Sequence, residues 1–421
     1  MSRYVIRGRE RLQGSVTVSG AKNAVLPMLA ATVLTRERCV IHGVPRLRDV
    51  QVMCEILRRL GASVEKEVDK TSGTSSLIVD PAGICRSEVH EDLTREMRSS
   101  IFLMGSLLGR LGEVTMAYPG GCDIGPRPID LHLRGLEALG ANISERHGYI
   151  HAECRDLVGA EIHLDFPSVG ATENIMMAAV AARGATLIRN AAKEPEIVDL
   201  QNFLNAMGAN IKGAGMDVIR IEGVKELKGA EHWVIPDRIE AGTFMVAAAI
   251  TRGRVLLRNV IPEHVESVTA KLREVGATVV DSDGCLEVIG PEILKPVDIK
   301  TLPYPGFPTD MQPQMMALLS VAEGTSIITE TVFESRFKHA EELRRMGANI
   351  KVEGRAAVVK GVKTLYGAAV ESTNLRSGAA LVLAGLVAEG ITTVDGVHHI
   401  DRGYEDLEQK LLKLGARVHR V

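Results

Sequence analysis

The sequence predicts an α/β fold of two domains, each made of three copies of one unit with helices inside and sheet outside. Three observations point there. The chain has 421 residues, too long for one ordinary core. A pattern of large apolar residue, Gly, Ala, any residue and apolar residue recurs six times, as LGASV, LGANI, MGANI, VGATV, MGANI and LGARV. Its glycines are Gly61, Gly140, Gly208, Gly276, Gly347 and Gly415, spaced by 79, 68, 68, 71 and 68 residues. Finally, the copies carry Ala-rich segments apolar on every face, which as helices must be buried on every side.

Each copy reads the same way. The apolar helix comes first, as in ENIMMAAVAA, GTFMVAAAI, QPQMMALLSVA and SGAALVLAGLVA. A glycine ends it, and a β-branched run such as ATLIRN, RVLLRN, TSIITE or ITTVDG predicts a strand. An amphipathic helix follows, for example VDLQNFLNAM or HAEELRRM, closed by the Gly-Ala pair, where glycine can take the left-handed conformation. Another strand completes the unit. Units of this length exceed solenoid periods of about 20–50 residues, so six close more naturally into two groups of three. The second copy is longest, with its extra residues around YPGGCDIGPRP, and insertions in a repeat usually mark a functional loop.

Composition narrows the class. Hydrophobic residues make up 45% and aromatics only 3%, with Trp233 the sole tryptophan. That argues against nucleic-acid partners that stack bases on aromatic rings. The formal net charge is -3, so cations for an anionic substrate must be concentrated locally. No secretory signal is visible after MSRYVIRGRERLQG, and the longest apolar runs fall short of a membrane span of about 20 residues. Six cysteines are scattered without CxxC spacing and read as reduced thiols. The expectation is a cytoplasmic protein with no membrane or nucleic-acid partner, no metal site and no cofactor.

Four groups of residues could carry chemistry. In SGAKNA, Ser19 or Gly20 can cap a helix and leave amides near Lys22 and Asn23 for an anion, though this motif alone favours an ordinary solvated lysine. The spacing rejects a nucleoside-triphosphate P-loop. Cys122, in the turn-rich PGGCDIGPRPIDLH, could protonate or attack a substrate, or be simply exposed. Arg127 and Asp130 nearby could recognise an anion and a donor. Arg98 in EMRSS, Arg376 in NLRSG and Arg402 in HIDRGYED lie where strand meets buried helix. There a guanidinium needs either a phosphate or carboxylate ligand or a structural ion pair. Asp310 in YPGFPTDMQPQ is a general base or the cap of the following helix.

Together these segments resemble the UDP-N-acetylglucosamine 1-carboxyvinyltransferase family of the EPSP synthase superfamily. SGAKNAVLP, MRSSI, PGGCDIGPRPIDLH, PSVGAT, PDRIEAGTF, PGFPTDMQ, ESRF, LRSGAALVLAG and HIDRGYE occur in the family's order along the whole chain. The resemblance implies a two-domain inside-out α/β barrel, each domain three βαβαββ-type units around buried helices. Residues 21–235 would form one domain, and 1–20 with 236–421 the other, with the active site between them. It implies that phosphoenolpyruvate is bound by Lys22, Asn23, Arg98, Arg127, Arg376 and Arg402. UDP-N-acetylglucosamine would lie along Arg98, Arg127, Pro128, Ile129, Asp130, Leu131, Ser168, Val169 and Gly170, with Asp310 and Val332 at the sugar. Cys122 would protonate the vinyl carbon, and Asp310 would take the proton of the attacking 3-hydroxyl. The loop from Pro119 to Pro126 would close over the nucleotide sugar. A monomer or weak homo-oligomer is expected.

The chain departs from the family pattern at Asn374, where many relatives have aspartate, and at Phe166, where some have lysine. Two other functions compete: the same transfer onto shikimate 3-phosphate, and a catalytically silent UDP-sugar-binding paralogue. SGAKNA and the cysteine of GGCDIG favour the nucleotide sugar over shikimate, and the intact site positions favour an active enzyme.

Overall fold

The computed structural model describes residues 2–69, 73–120 and 128–421, and their strands form six four-stranded sheets of one strand order. In one of them, Glu161–His163 lies parallel to Ala185–Arg189, which runs antiparallel to Val218–Glu222, itself paired with Asn210–Lys212. The helix Val169–Val180 joins the parallel pair, and Pro195–Ala206 leads into the closing hairpin. This is the βαβαββ unit. The remaining sheets repeat its pattern with small variations in how the chain supplies the strands.

The six repeat glycines all have positive φ, between 89° for Gly415 and 116° for Gly61. At that backbone angle a side chain is strained, so the Gly-Ala pair is a helix stop in every copy.

The chain folds as two units. One comprises residues 2–19 and 236–421, the other residues 20–120 and 128–235. The division follows an exchange of strands. Gln13–Thr17 precedes the helix Lys22–Ala31 in sequence but pairs with Arg254–Arg258. Glu231–Trp233 precedes the helix Arg238–Ile250 but pairs with Cys39–His42. A second rearrangement closes the last repeat. Tyr4–Arg7 takes the position between Ile391–Asp395 and Arg417–Arg420 that the last strand of the unit holds elsewhere.

The apolar helices lie inside, as their composition requires. Every residue from Ile239 to Ile250 is buried, and so is all of Gln312–Leu319. In the unit of residues 20–235, Leu103–Leu111 and Val169–Val180 pack in parallel at the distance small residues permit. A Cβ on Gly105 would fall 2.1 Å from the Asn174 carbonyl oxygen, and one on Gly109 3.2 Å from the Ala181 methyl. The Gly105 amide donates to Asn174 Oδ1 at 2.7 Å. Leu34, just beyond Lys22–Ala31, also meets Gly109, so all three inner helices start at the same end of the unit.

One local expectation changes. Neither Ser19 nor Gly20 caps the helix Lys22–Ala31; Ala21 holds the N-cap without a side-chain bond. The Ser19 hydroxyl donates to Glu405 Oε2 at 2.7 Å and accepts from Lys410 Nζ at 2.7 Å. Gly20 is demanded by crowding, since a Cβ there would sit 1.9 Å from the Gly43 carbonyl oxygen.

Candidate active-site residues

Within the unit of residues 20–235, the candidate residues gather where the inner helices begin. Lys22 is the first residue of its helix and is buried, with Nζ 2.6 Å from Asp49 Oδ2. Asp49 is equally buried, in the first turn of Arg48–Leu60. Asn23, beside Lys22, is half-buried. Arg98 opens the short 3-10 turn Arg98–Phe102, and its Nη2 reaches the Pro128 carbonyl at 3.5 Å. That contact ties Arg98 to the segment Pro128, Ile129, Asp130 and Leu131.

Ser168 caps Val169–Val180, its Oγ accepting from the Ala171 amide at 3.3 Å. A side chain at Gly170 would crowd the His132 ring, since a Cβ would stand 3.0 Å from its Cε1. His132 Nδ1 in turn faces Asn174 Nδ2 at 3.1 Å, so the imidazole accepts at that nitrogen. Lys22, Arg98 and the Ser168–Gly170 amides therefore lie at helix N-termini, where the peptide dipoles favour anions. Phe166 is 43% exposed and supplies no charge. Cys122 and Arg127 lie outside the described residues, as does most of the Pro119–Pro126 loop.

The other unit holds Asp310, Val332, Arg376 and Arg402. Asp310 does not cap Gln312–Leu319; Met311 is at the N-cap and no side chain bonds there. Its carboxylate instead meets two arginines. Arg336 Nη2 donates to Oδ1 at 2.6 Å, and Arg376 Nε donates to Oδ2 at 3.1 Å. Burial would raise this carboxyl, but the two guanidiniums outweigh it and hold it well below the usual carboxylate range. Asp310 is therefore ionised at any working pH. It can align a hydroxyl as an acceptor, while its basicity is low as long as both arginines stay on it.

Arg376 makes an ion pair with Asp310. Its guanidinium is 2% exposed and lies 5.3 Å from the centre of the Tyr404 ring, while Nη1 has no partner among the described residues. Tyr404 is fixed in turn, its hydroxyl 3.0 Å from Thr243 Oγ1 and accepting from Gln314 Nε2 at 3.1 Å. Gly403 brings the Arg402 segment against this group, for a Cβ on it would lie 3.4 Å from Arg376 Nη1. Asn374 caps Leu375–Val387 by accepting from the Arg376 and Ser377 amides at 3.2 and 3.0 Å. Asparagine thus does the capping that an aspartate would do.

Three residues that touch the candidates were not singled out from the sequence: Asp49, Arg336 and Glu330, whose carboxylate accepts from the Val332 amide. Arg336 sits in the ESRF segment and could have been found there as a cation near a buried helix. Glu330 and Asp49 carry no local signal, since acidic residues at the start of helices and loops are common. Among the described residues no cluster of His, Cys, Asp and Glu could hold a metal ion.

Residues 6–411 match the family described as EPSP synthase (3-phosphoshikimate 1-carboxyvinyltransferase). The chain is 64% identical over 420 residues to UDP-N-acetylglucosamine 1-carboxyvinyltransferase 1 of Symbiobacterium thermophilum, covering 100% of this chain and 95% of that one. It is 57% identical over 419 residues to the protein of the same name from Caldanaerobacter subterraneus subsp. tengcongensis, covering 100% and 99%. Among solved structures it resembles the enolpyruvyl transferase NikO from Streptomyces tendae, with a TM-score of 0.89, 26% identity and coverage of 100% and 99%. An EPSP synthase from Acinetobacter baumannii shares the fold, at a TM-score of 0.76 and 20% identity, with 100% of both chains covered.

Proposed function

This chain belongs to the EPSP synthase family, and we propose that it transfers the enolpyruvyl group of phosphoenolpyruvate to the 3-hydroxyl of UDP-N-acetylglucosamine, releasing phosphate. The observation that carries this reading is the identity of 64% to a UDP-N-acetylglucosamine 1-carboxyvinyltransferase along the entire chain. The SGAKNA and GGCDIG segments favour the same acceptor over shikimate 3-phosphate. The reaction is the committing step of peptidoglycan precursor synthesis.

The chemistry is an addition followed by an elimination. The 3-hydroxyl oxygen bonds to C2 of phosphoenolpyruvate as its proton passes to Asp310, while Cys122 gives a proton to C3. The resulting ketal then returns a proton from C3 to the Cys122 thiolate as the bond from C2 to phosphate breaks, which restores the double bond, and Asp310 gives its proton to solvent. Negative charge builds on phosphate as it leaves, so Lys22, Arg98, Arg127 and Arg402 stabilise the transition state of its departure. Arg376 keeps Asp310 in place through its ion pair. Because both arginines depress the basicity of Asp310, it orients the hydroxyl first and takes its proton late, as the new C–O bond forms. Asn23 binds the sugar and the intermediate. Asp49 sets the direction of the Lys22 ammonium.

No cofactor or metal enters this scheme. We place the reaction in the cytoplasm, in a monomer or weak homo-oligomer with two small-molecule partners. The five described cysteines are free thiols, as a reducing compartment would keep them. No described helix is long and apolar enough to cross a membrane.

The deciding assay measures phosphate release by purified protein given both substrates, with each alone as control. Release that needs both, with a product heavier by one carboxyvinyl group, supports the reading. Release with shikimate 3-phosphate in place of the nucleotide sugar would transfer it to the rival acceptor, and no release would favour the silent paralogue.

A further inference from the structure

Glu330 has no part in the chemistry just described, yet it is 1% exposed and its carboxylate is fully occupied. Oε1 accepts from Thr301 Oγ1 at 2.7 Å, from the Val332 amide at 2.9 Å and from the Phe333 amide at 3.2 Å. Oε2 accepts from Thr309 Oγ1 at 2.8 Å. Thr309 precedes Asp310, and its hydroxyl oxygen also accepts from Arg336 Nη1 at 3.1 Å. The other end of the same guanidinium holds Asp310 Oδ1. A continuous chain of directed bonds thus runs from Glu330 through Thr309 and Arg336 to Asp310, and the same carboxylate fixes the Val332 backbone.

We propose that Glu330 is a positioning residue for the acceptor sugar, registering Asp310 and Val332 to each other through Thr309 and Arg336. The proposal rests on the reading of Asp310 and Val332 as acceptor-side residues. Its logic lies in proton direction. The Thr309 hydroxyl has one proton, spent on Glu330, so its oxygen is free to receive Arg336. An amide at position 330 would present N–H groups where Oε2 now accepts. Thr309 would then face two donors, and its own proton would turn elsewhere, loosening Arg336. A misplacement on the order of 1 Å at a reacting group can cost about a hundredfold in rate.

The test compares Glu330→Gln, Thr309→Val and Thr309→Ser with the unmodified protein. The first two are expected to raise KM for UDP-N-acetylglucosamine or lower kcat by about tenfold or more, while KM for phosphoenolpyruvate stays within about twofold. Thr309→Ser, which retains the hydroxyl, recovers most of the loss. With Arg336 loosened, Asp310 loses one of the cations holding its carboxyl down, so the acid limb of the pH profile moves to higher pH. Unchanged kinetics in Glu330→Gln and Thr309→Val would overturn the proposal. So would equal losses for both substrates that follow a fall in melting temperature. Nitrogen-15 NMR of the Arg336 guanidinium reads the relay without turnover: its N–H signals should be protected from exchange in the unmodified protein and in Thr309→Ser, and lose protection in Thr309→Val. If the unmodified protein releases no phosphate, the functional reading fails; the NMR arm then decides the relay, and protection unchanged in Thr309→Val defeats it.

Discussion

Arg376 Nε donates to Asp310 Oδ2 at 3.1 Å, which matches a guanidinium 2% exposed with a carboxylate on a different segment. Arg336, 5% exposed, takes the other oxygen. Two buried cations therefore depend on one half-buried anion, and the group proposed to do chemistry is also structural.

Removing that anion should be costly twice over. Asp310→Ala leaves two guanidiniums without their counter-charge, and breaking a buried pair costs about 3–5 kcal/mol. Chemical denaturation should show a loss of that order together with loss of turnover. The pH dependence has a definite sign: a carboxyl held below its unfolded value of 3.8 stabilises the fold above that pH and gives the stability up only in stronger acid. A variant as stable as the parent at neutral pH would show that the arginines find other partners.

Asn374 tests whether the departure from aspartate matters. Its side chain accepts two amides at the start of Leu375–Val387 and donates from Nδ2 to Ser377 Oγ at 2.7 Å. Asn374→Ala should cost about 1 kcal/mol or somewhat more, the worth of a helix cap. Asn374→Asp should keep the cap and place a negative charge at a helix N-terminus, where it is favourable. Urea titrations of the three proteins should therefore group Asp with Asn and set Ala apart; Asp grouping with Ala would refute the capping account.

The architecture was largely legible because it depends on local chemistry repeated six times. The all-apolar helices announced their burial, and glycines such as Gly61 announced where helices stop. The exchange of Gln13–Thr17 and Glu231–Trp233 between the units was not readable from pairing rules, since a strand's residues name the face they bury, not the neighbour they join. The candidates for the site were legible residue by residue, through the segments that resemble a family. Its wiring was not: Arg336 and Arg376 reach Asp310 across 26 and 66 residues of sequence, and Glu330 has an ordinary loop context.

Glu173 should make the protein less stable as the pH rises. It is 1% exposed within the helix Val169–Val180, and neither carboxyl oxygen has a partner among the described residues. Burial pushes it well above its ordinary value of 4.5, and the negative charges of Glu196 and Glu194 add to the push. In the unfolded chain it ionises above that value while the folded protein keeps it neutral. Stability therefore falls with rising pH by up to about 1.4 kcal/mol per pH unit until the folded group also ionises. Glu173→Gln removes the proton and the slope. Its melting temperature should exceed the parent's at pH 8, with the difference shrinking toward pH 5; parallel curves would contradict a buried neutral acid.

His339 should work in the opposite direction. Burial, and then the charge of Arg336, push this imidazole down to about 3, and neither ring nitrogen has a hydrogen-bond partner among the described residues. The unfolded chain takes up a proton near 6.5 that the folded protein refuses, so this group's contribution is lost as pH falls below that value. At pH 5 the loss amounts to about 2 kcal/mol. His339→Met, which keeps the apolar volume, should flatten the melting curve between pH 7 and pH 5 relative to the parent. An unchanged slope would mean that the folded protein accommodates the imidazolium.

Cys122 is the position on which the proposed chemistry turns. A thiol can supply a proton near neutral pH, whereas a serine hydroxyl is a far weaker acid. Cys122→Ser should therefore remove most phosphate release while leaving the folded state intact, since one small polar side chain replaces another. Thiol-reactive reagents should inactivate the parent, with substrate slowing the loss. They should leave the residual activity of the variant untouched, even though exposed Cys85 still reacts. Full activity in Cys122→Ser would assign the proton to another donor and leave the cysteine as a bystander of the loop. Activity lost in Cys122→Ser but restored by aspartate at the same position would show that any acid of suitable reach serves there, and that the requirement is a proton rather than a covalent sulfur bond.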